Sequence, residues 1–385
     1  DQRGDTVEQK SRNVKAVVIG FGGMGSQYAR MIYEDKIARL ELYAICCRNP
    51  KRQEIVKKEF PGVVLFQNVE ETMDRGNEFD AVIIVTPHDS HVSIGKEAFA
   101  RGLHVLTDKP VGIAPTEIKE LMAAGERAGT AFAVMFNNRM RPAFQKAKAM
   151  VEQGELGNVT RAVWVCNNWY RTPCYHRSAP WRSSWRGEHG GLLINQCQHY
   201  LDLWQWILGM PDSVYAGIDF GKYNDFLVDD SVDLQFLYDS GLRGTFISAS
   251  GEAPGGNRFE IWGSKGRLTI ENGEVLLFDE NEMSTEEFGR INQEIYGRLP
   301  HSLREIPLEK QGDPYCMMLQ NFADHIRKGT PLLSPGIQGI NSMEMACGAY
   351  LSAWKEKKVR IPVNDQEYEM LLKEKKEEEE RWLTK

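Results

Sequence analysis

The sequence lacks the features of disulfide-rich, membrane-spanning and nucleic-acid-binding proteins. Its seven cysteines are scattered without CxxC spacing. An odd number of unpaired cysteines indicates a reducing compartment, for which we expect the cytoplasm. No apolar run approaches the roughly 20 residues that a membrane helix needs. The net charge of -7 provides no basic face for a nucleic acid or an anionic membrane surface, so we expect neither as a partner.

The length of 385 residues exceeds one ordinary core, since domains usually contain roughly 100 to 200 residues, and we expect two domains. Residues 1–13 are polar and predict a flexible N-terminal arm without the apolar core of a signal peptide, with an already removed leader left open. Residues 365–385 are highly charged. They predict a solvated C-terminal helix or frayed tail, with a docking arm in an oligomer as the alternative.

Residues 14–137 alternate short, β-branched runs with amphipathic segments of helical length, which is the pattern of βαβ units. Six such strands predict an α/β fold with a doubly wound parallel Rossmann sheet that binds a dinucleotide. We expect the strands at residues 15–20, 41–47, 63–66, 81–86, 104–107 and 131–135.

Residues 138–364 have a different character and predict a second, α+β domain with a large, mostly antiparallel open sheet. Longer alternating runs at residues 159–169, 231–238 and 242–248 are separated by turns rich in Gly, Asp and Asn. We expect helices at residues 191–208, 313–328 and 340–357, with the last helices able to pack back on the first domain.

A GxGxxG motif lies between the first predicted strand and a predicted helix. In this context Gly20 permits a tight turn, Gly22 lets the backbone approach a pyrophosphate, and Gly25 lets the helix pack on the strand, while the helix N-terminus favours the anion. A dinucleotide is therefore the expected cofactor. The loop residues expected to contact it are Gly20, Phe21, Gly22, Gly23, Met24 and Gly25.

The end of the second strand suggests which dinucleotide is bound. A carboxylate normally binds the adenosine ribose at this point, but the sequence has Cys47 followed by Arg48 and further cations. A missing carboxylate with a neighbouring guanidinium admits a 2′-phosphate, so NADP is favoured over NAD within a general NAD(P) assignment. Arg48 stacking on adenine or pointing to solvent is the alternative.

Several motifs occur together in the first 210 residues. Thr86-Pro87 is followed by His91, and the fifth strand ends in Asp108-Lys109-Pro110. With the glycine loop, this order resembles the glucose-fructose oxidoreductase, inositol dehydrogenase and MocA-like (Gfo/Idh/MocA) family, in which the strand ends in Glu-Lys-Pro. Further matches are Asn137, Arg139, Pro142, Gly190-Gly191, Asn195, His199 and Asp202.

The resemblance implies a nicotinamide-dependent oxidoreductase that acts on a small carbohydrate or glycoside and assembles as a homo-oligomer, a dimer, tetramer or higher, through the second domain. It assigns further cofactor contacts at Cys47, Arg48, Thr86, Pro87, His91, Asp108, Lys109 and Asn137.

The expected catalytic residues are Lys109, His199 and Asn195. Lys109 ends a parallel strand, where open α/β sheets place ligands, and hydride transfer at an alcohol needs a base and a carbonyl-polarising donor. The resemblance pairs His199 with a residue four positions earlier on one helix face, an Asp in the family. Asn195 cannot accept a proton, so acid–base work falls on His199 with Lys109, whereas Asp202 is expected to be a structural partner.

The region before His199 is dense in aromatic and arginine side chains, which suit a sugar ring and its hydroxyl or carboxylate groups. A core and oligomer interface is the alternative. The soft ligands Cys174, His176, His189, Cys197 and His199 match no zinc spacing, so we expect no metal. The expected substrate contacts are Lys109, Arg139, Trp169, Tyr170, Trp185, Arg186, Asn195 and His199.

The leading interpretation is an NAD(P)-dependent dehydrogenase or reductase that transfers a hydride between the nicotinamide and a secondary alcohol or ketone of a sugar, polyol or glycoside. One alternative is a glycosidase that retains its dinucleotide, oxidises C3 transiently and eliminates the aglycone. A second is a non-catalytic dinucleotide or sugar sensor, for which the presence of Asn195 in place of an acid is the argument.

Overall fold

The computed structural model describes residues 12–384 of the chain. These residues form two compact units. Unit 1 contains the chain up to Asn137 together with Gly312–Ile340, and unit 2 contains Asn138–Gln311 together with the chain from Asn341 onward. The predicted arm at residues 1–13 lies outside the described residues, apart from its last two.

Unit 1 is built on a six-stranded parallel sheet in the order β3-β2-β1-β4-β5-β6. All six predicted strands are present, each within about two residues of the expected ends. The central strands are buried on both faces, as expected of a sheet covered by helices. The strands are β1 (Val14–Ile19), β2 (Leu40–Cys46), β3 (Val64–Phe66), β4 (Ala81–Ile84), β5 (His104–Thr107) and β6 (Phe132–Val134).

The helices of unit 1 alternate with these strands, and one late helix joins them. The first five are α1 (Gly23–Tyr33), α2 (Pro50–Glu59), α3 (Val69–Asp74), α4 (His91–Ala100) and α5 (Pro115–Ala128). The late helix is α10 (Pro314–Lys328). The ring of Tyr315 on α10 packs against Tyr28 of α1, and Gln320 accepts the backbone N–H of Ala38, so this late segment is part of the Rossmann unit.

Unit 2 is built on a nine-stranded sheet in the order β14-β13-β12-β11-β7-β10-β9-β8-β15, antiparallel except between β7 and β10. This confirms the predicted fold class. The strands are β7 (Val159–Cys166), β8 (Ser213–Phe220), β9 (Asp229–Leu237), β10 (Arg243–Ala249), β11 (Asn257–Gly263), β12 (Gly266–Glu271), β13 (Val275–Asn281), β14 (His301–Glu305) and β15 (Val359–Arg360).

The helices of unit 2 cover this sheet and its ends. Trp204 of one helix lies over the rings of Phe259 and Phe246, and Trp164 stacks on Phe259 with centroids 4.2 Å apart, so aromatic rings fill the core. The helices are α6 (Pro142–Glu152), α7 (Pro173–His176), α8 (Gln198–Leu208), α9 (Thr285–Ile291), α11 (Gly339–Lys355, which begins at the unit boundary) and α12 (Asp365–Leu383).

Two sequence predictions in unit 2 need correction. The helix expected at residues 191–208 begins only at Gln198, and residues 192–197 form turns. The C-terminal segment is helical but is not solvated on all sides, because Tyr368, Leu372 and Glu379 of α12 are buried. Within the part of the chain that is described, no helix combines the length and apolarity that crossing a membrane requires.

Candidate active site

The glycine-rich loop connects β1 to α1, as predicted. Gly20 has a φ of 102°, and a Cβ there would lie 2.5 Å from the carbonyl oxygen of Val85. A Cβ on Gly25 would lie 1.9 Å from the carbonyl oxygen of Gly20. Both positions therefore need glycine, one for backbone conformation and close approach and the other for packing of the helix against the turn.

The loop has the properties of an anion cradle. Helix α1 begins after Gly22 with no side chain capping its N-terminus and no acidic residue in its first turn, so its N–H groups and dipole suit a phosphate. Gly23 is exposed and Met24 half-buried. The ring of Phe21 is buried against Phe60, so the predicted cofactor contact of this residue is left to its backbone.

The residues after β2 carry positive charge beside this cradle. Cys47 is buried, whereas Arg48 is exposed. Asn49 caps α2 by accepting the backbone N–H groups of Lys51 and Arg52. The Arg52 guanidinium donates to the carbonyl oxygen of Phe21 at 2.9 Å. Arg52, which the sequence predictions left out of the cofactor contacts, is thus the cation anchored to the loop itself.

The structure corrects the prediction that His91 contacts the cofactor. His91 is completely buried, and its Nδ1 and Nε2 lie 2.7 and 2.8 Å from the carbonyl oxygens of Pro110 and Thr86. His91 ties the segments after β4 and β5 together and does not face a ligand. Thr86 and Pro87 are half-buried and exposed respectively.

Asp108 and Lys109 follow β5 at the carboxyl edge of the sheet. The cradle follows β1 at the same edge, and only β4 lies between β1 and β5. Lys109 is half-buried, and its peptide bond to Pro110 is cis. Asp108 accepts the Lys109 backbone N–H at 2.8 Å and lies 3.4 Å from the Tyr28 hydroxyl. Burial raises the pKa of Asp108, while the Lys109 charge opposes that rise.

Asn137 lies at the same edge, in the turn that follows β6. It is 5% exposed, and its Oδ1 has no hydrogen-bond partner among the described residues. Buried carbonyl oxygens normally accept a hydrogen bond, so this atom is suited to accept one from the amide or hydroxyl group of a bound ligand. With the cradle, it shows that the residues present fit a nicotinamide dinucleotide.

Arg139, a predicted substrate contact, is instead a buried structural residue of unit 2. Its Nε and Nη2 donate to the two carboxylate oxygens of Asp202 at 2.8 and 2.6 Å, and neither side chain is more than 1% exposed. Burial raises the pKa of Asp202, and the paired guanidinium opposes that rise. Asp202 has the structural role that the sequence suggested, and Arg139 has no surface on which to bind a ligand.

Asp229 holds the turn that precedes α8. Its carboxylate accepts the backbone N–H groups of Gly191 and Leu193, both at 2.7 Å, and the Tyr350 hydroxyl at 2.6 Å. Burial raises the pKa of Asp229, while these three hydrogen bonds oppose the rise. These contacts explain why the helix begins late, since the backbone of residues 191–193 is bound to β9.

The sequence predicted that Asn195 and His199 share one helix face. In the structure Asn195 lies in this turn, before α8 begins, so it does not share a helix face with His199. His199 is half-buried in the first turn of α8. The Asn195 side chain donates to Glu188 Oε1 at 2.5 Å and to the Tyr175 hydroxyl at 3.2 Å. Glu188 is 1% exposed and also accepts the Ser183 backbone N–H. Glu188 was not among the residues predicted from the sequence, because no local pattern distinguishes it from other glutamates.

The four aromatic and arginine contacts predicted near Asn195 separate into two groups. Trp169 is half-buried against Tyr200, and Tyr170 is 51% exposed, so both remain candidates. Trp185 is not a candidate, because it is 1% exposed and packs on the rings of α11 and β8. Arg186 pairs with Glu380 of α12 through an exposed side chain, and its substrate contact stays a prediction. Between residues 12 and 384, no group of three or more His, Cys, Asp or Glu side chains could hold a metal ion.

The cradle, the lysine at the same edge and the second sheet define a nicotinamide-dependent oxidoreductase. Residues 14–136 match the model of the oxidoreductase family with an NAD-binding Rossmann fold, and residues 144–269 match the GFO/IDH/MocA C-terminal domain. The chain therefore belongs to the Gfo/Idh/MocA family, as the resemblance indicated. Its assignment as an NAD(P)-dependent dehydrogenase of CH–OH groups is likewise confirmed.

Two relatives match almost the whole chain. An NADP(+)-dependent scyllo-inositol 2-dehydrogenase of Bacillus subtilis is 25% identical over 359 residues, which cover 91% of this chain and 96% of that protein. An inositol 2-dehydrogenase of Rhizobium meliloti is 25% identical over 358 residues, which cover 90% and 99%.

Solved structures share the fold. The WlbA dehydrogenase of Bordetella pertussis, in complex with NADH and UDP-GlcNAcA, has a TM-score of 0.76 at 23% identity and covers 92% of this chain and 100% of its own. A levoglucosan dehydrogenase in complex with NADH has a TM-score of 0.77 at 19% identity and covers the same shares.

Proposed function

We propose that this enzyme transfers a hydride between a bound nicotinamide and a secondary alcohol or ketone of a sugar or polyol, with Lys109 and His199 handling the hydroxyl proton. The observation that carries the proposal is the place of Lys109, at the same edge of the sheet as the glycine cradle and one strand removed from it. The inositol dehydrogenases among its relatives favour a polyhydroxylated substrate.

Each residue has a defined task in this proposal. The nicotinamide, when bound, supplies the hydride acceptor or donor. The Lys109 ammonium group polarises the reacting oxygen, and Asp108, bonded to the Lys109 backbone N–H, holds the turn. His199 accepts or returns the proton near neutral pH. Asn195, oriented by its bond to Glu188, positions a substrate hydroxyl.

We further propose that NADP is preferred over NAD, because Arg48 and Arg52 follow β2 where a ribose-binding carboxylate would stand. Arg52→Ala should weaken NADPH binding about tenfold and NADH binding about twofold at most, since a lost charge-assisted pair is worth about 1.5 kcal/mol. Fluorescence titration with both reduced cofactors measures this. Equal losses for the two would assign Arg52 to the shared pyrophosphate.

The central test is turnover. Purified enzyme with NAD or NADP and a panel of inositols, sugars and glycosides should change absorbance at about 340 nm, where reduced nicotinamide absorbs. Lys109→Ala should lower kcat by about a hundredfold or more with dinucleotide affinity retained. Lys96→Ala, which removes an exposed lysine paired with Glu120, is the matched control and should retain activity.

The same assay distinguishes the dehydrogenase from the other candidate functions. Release of a chromogenic aglycone without net cofactor reduction would replace this proposal with the dinucleotide-retaining glycosidase. Equal activity of Lys109→Ala would remove Lys109 from the chemistry. A homo-oligomer and a cytoplasmic location stay predictions of the sequence, and light scattering tests the first of them.

A further inference from the structure

The segment from Trp169 to His176 contains an unusual group of buried polar atoms. Trp169 Nε1, Arg171 Nε and His176 Nε2 are each inaccessible to solvent and have no hydrogen-bond partner among the described residues. Indole and guanidinium nitrogens can only donate, so two of these three atoms need an acceptor. Buried donors in folded proteins are normally satisfied, and three such atoms within eight residues indicate a site for an oxygen-rich ligand.

The same segment carries a positive charge, on Arg171, that no described carboxylate neutralises. The Arg171 guanidinium lies 4.9 Å from the Tyr175 ring centroid, and its side-chain hydrogen bond is a long one of 3.3 Å to the carbonyl oxygen of Tyr170. No carboxylate of the described chain lies within 4.0 Å of it. Arg182, by contrast, donates to the Tyr175 hydroxyl at 2.6 Å and lies 3.9 Å from Glu188.

The pKa of His176, a histidine of the same segment, is lowered in part by this charge. Burial first, and then the charges of Arg182 and Arg171, lower the pKa of His176 to about 4. Its ring is therefore neutral at pH 7, and its Nδ1 is bonded to the Ser183 hydroxyl at 2.6 Å. Glu188 lies beside Arg182, so Arg171 is the charge of this region without a carboxylate partner among the described residues, a condition that favours an anion.

Tyr175 links this charge to the proposed substrate residues. Its hydroxyl accepts from Arg182 and from the side chains of Asn195 and Gln196, at 2.6, 3.2 and 3.3 Å. An anionic group at Arg171 would therefore be separated from a hydroxyl at Asn195 by about one aromatic ring, which is comparable with the width of a pyranose.

We propose that the substrate is an anionic sugar, with Arg171 binding its oxyanion and the Trp169 indole N–H donating to a neighbouring oxygen. A carboxylate matches the planar guanidinium in a bidentate arrangement, so the class we assign is a sugar acid. This inference rests on the proposed function, since it names the substrate class of that site.

The test compares matched sugars that differ only in charge. Calorimetry of the enzyme saturated with NADPH measures the affinities for glucuronate and galacturonate against glucose and galactose. At least one uronate should bind about tenfold or more tightly than its neutral partner, and raising the salt from about 0.05 to 0.5 M should weaken that uronate severalfold without affecting the hexose.

Variants assign the effect to one residue. Arg171→Gln should bring uronate affinity to within about twofold of the hexose while hexose affinity is retained, and Arg171→Lys should keep part of the preference because the charge survives without the planar fork. Arg177→Gln, which changes an exposed arginine directly after this segment, is the matched control and should change neither affinity. The salt comparison on the unaltered enzyme tests the proposal even where a variant does not fold.

Uronates that bind no more tightly than their hexoses would overturn the inference, as would a preference that survives Arg171→Gln. Glucose 6-phosphate, titrated in parallel, identifies the source of the oxyanion: tighter binding than glucuronate would overturn the carboxylate assignment in favour of a phosphate. Tight uronate binding without any absorbance change at about 340 nm would retain this inference and reject the proposed function. Turnover of neutral sugars without a uronate preference would retain the proposed function and reject this inference.

Discussion

The two units position their functional groups by different physical means. At the carboxyl edge of unit 1, backbone geometry does most of the positioning: parallel strands end together, and Gly20 and Gly25 allow close approach. In unit 2, buried carboxylates do the positioning by accepting hydrogen bonds from backbone N–H groups, side-chain amides or a guanidinium, and Asp229 and Glu188 hold the turn that carries Asn195 before α8. Four of these carboxylates are Glu188, Asp202, Asp229 and Glu379, each at most 3% exposed.

The difference predicts different sensitivities. A site held by backbone geometry should fail when a side chain is added, because atoms then overlap. A site held by buried carboxylates should fail when a charge is removed or added, because an unmatched buried charge is strongly unfavourable. The following substitutions test this contrast.

The largest effect is expected for the buried pair of unit 2. Asp202→Ala leaves the Arg139 guanidinium buried without its carboxylate, and breaking such a pair costs about 3 to 5 kcal/mol of unfolding free energy. Urea unfolding followed by circular dichroism measures it. Asp239→Ala removes a partner of Arg360 in a pair that is 72% and 70% exposed, and should cost about 1 kcal/mol or less. Similar losses for the two would show that burial does not govern this unit.

The next effect concerns the backbone-held site. Gly25→Ala places a Cβ 1.9 Å from a backbone oxygen that cannot move independently, so we expect a loss of about 3 kcal/mol in stability and no measurable dinucleotide binding. Gly23→Ala, two residues away, meets nothing within 4 Å and should be neutral or slightly stabilising. Thermal unfolding compares the two variants, and NADPH titration follows binding to Gly25→Ala. A folded Gly25→Ala enzyme that binds cofactor would contradict the steric account.

The contrast also explains which features the sequence could predict. The six strands of unit 1 and the placement of Lys109 follow from local signals, since strand runs, turn glycines and the rule that parallel strands end at one edge are all short-range. His91 was assigned to the right region with the wrong task, because hydrogen bonds to the carbonyl oxygens of Thr86 and Pro110 are not visible in a motif.

In unit 2 the decisive contacts join residues distant in sequence. The late start of α8 depends on Asp229, which lies 36 and 38 residues beyond the two backbone N–H groups that it accepts. Trp185 was predicted as a substrate contact, with Arg186 beside it, because aromatic and arginine residues occur both in cores and in binding sites, and the structure places Trp185 in the core. Their backbone N–H groups are bound by Glu379, almost 200 residues away, and no periodicity could show this.

Glu379 allows a matched test of that long-range contact. Its carboxylate accepts the N–H groups of Trp185 and Arg186 at 2.8 and 2.9 Å. Glu379→Gln turns an amide group toward one of these donors and should cost about 2 to 3 kcal/mol. The Glu380 side chain is 59% exposed, and Glu380→Gln should cost less than about 1 kcal/mol. Urea unfolding measures both, and faster hydrogen exchange at the Trp185 and Arg186 amides should accompany only the first. Equal hydrogen-exchange rates at these amides in the two variants would show that α12 does not order the segment around Trp185 and Arg186.

The smallest effect is a pH dependence that should belong to unit 2. His189 is 5% exposed, and burial, followed by the charge of Lys376, lowers its pKa to about 4 from an ordinary value of 6.5. Between these values the unfolded chain binds a proton that the folded chain does not, so His189 contributes stability above about pH 6.5 that is lost as the pH falls toward about 4. We expect a loss of about 2 kcal/mol by pH 4. His189→Asn suits the φ of 65° at this position and removes the titration. The difference in unfolding free energy between the enzyme and this variant, measured by urea unfolding from pH 7 to pH 4, isolates His189 because all carboxylates are common to both. A difference that does not change with pH would mean that the buried ring is not the pH-sensitive element of this unit.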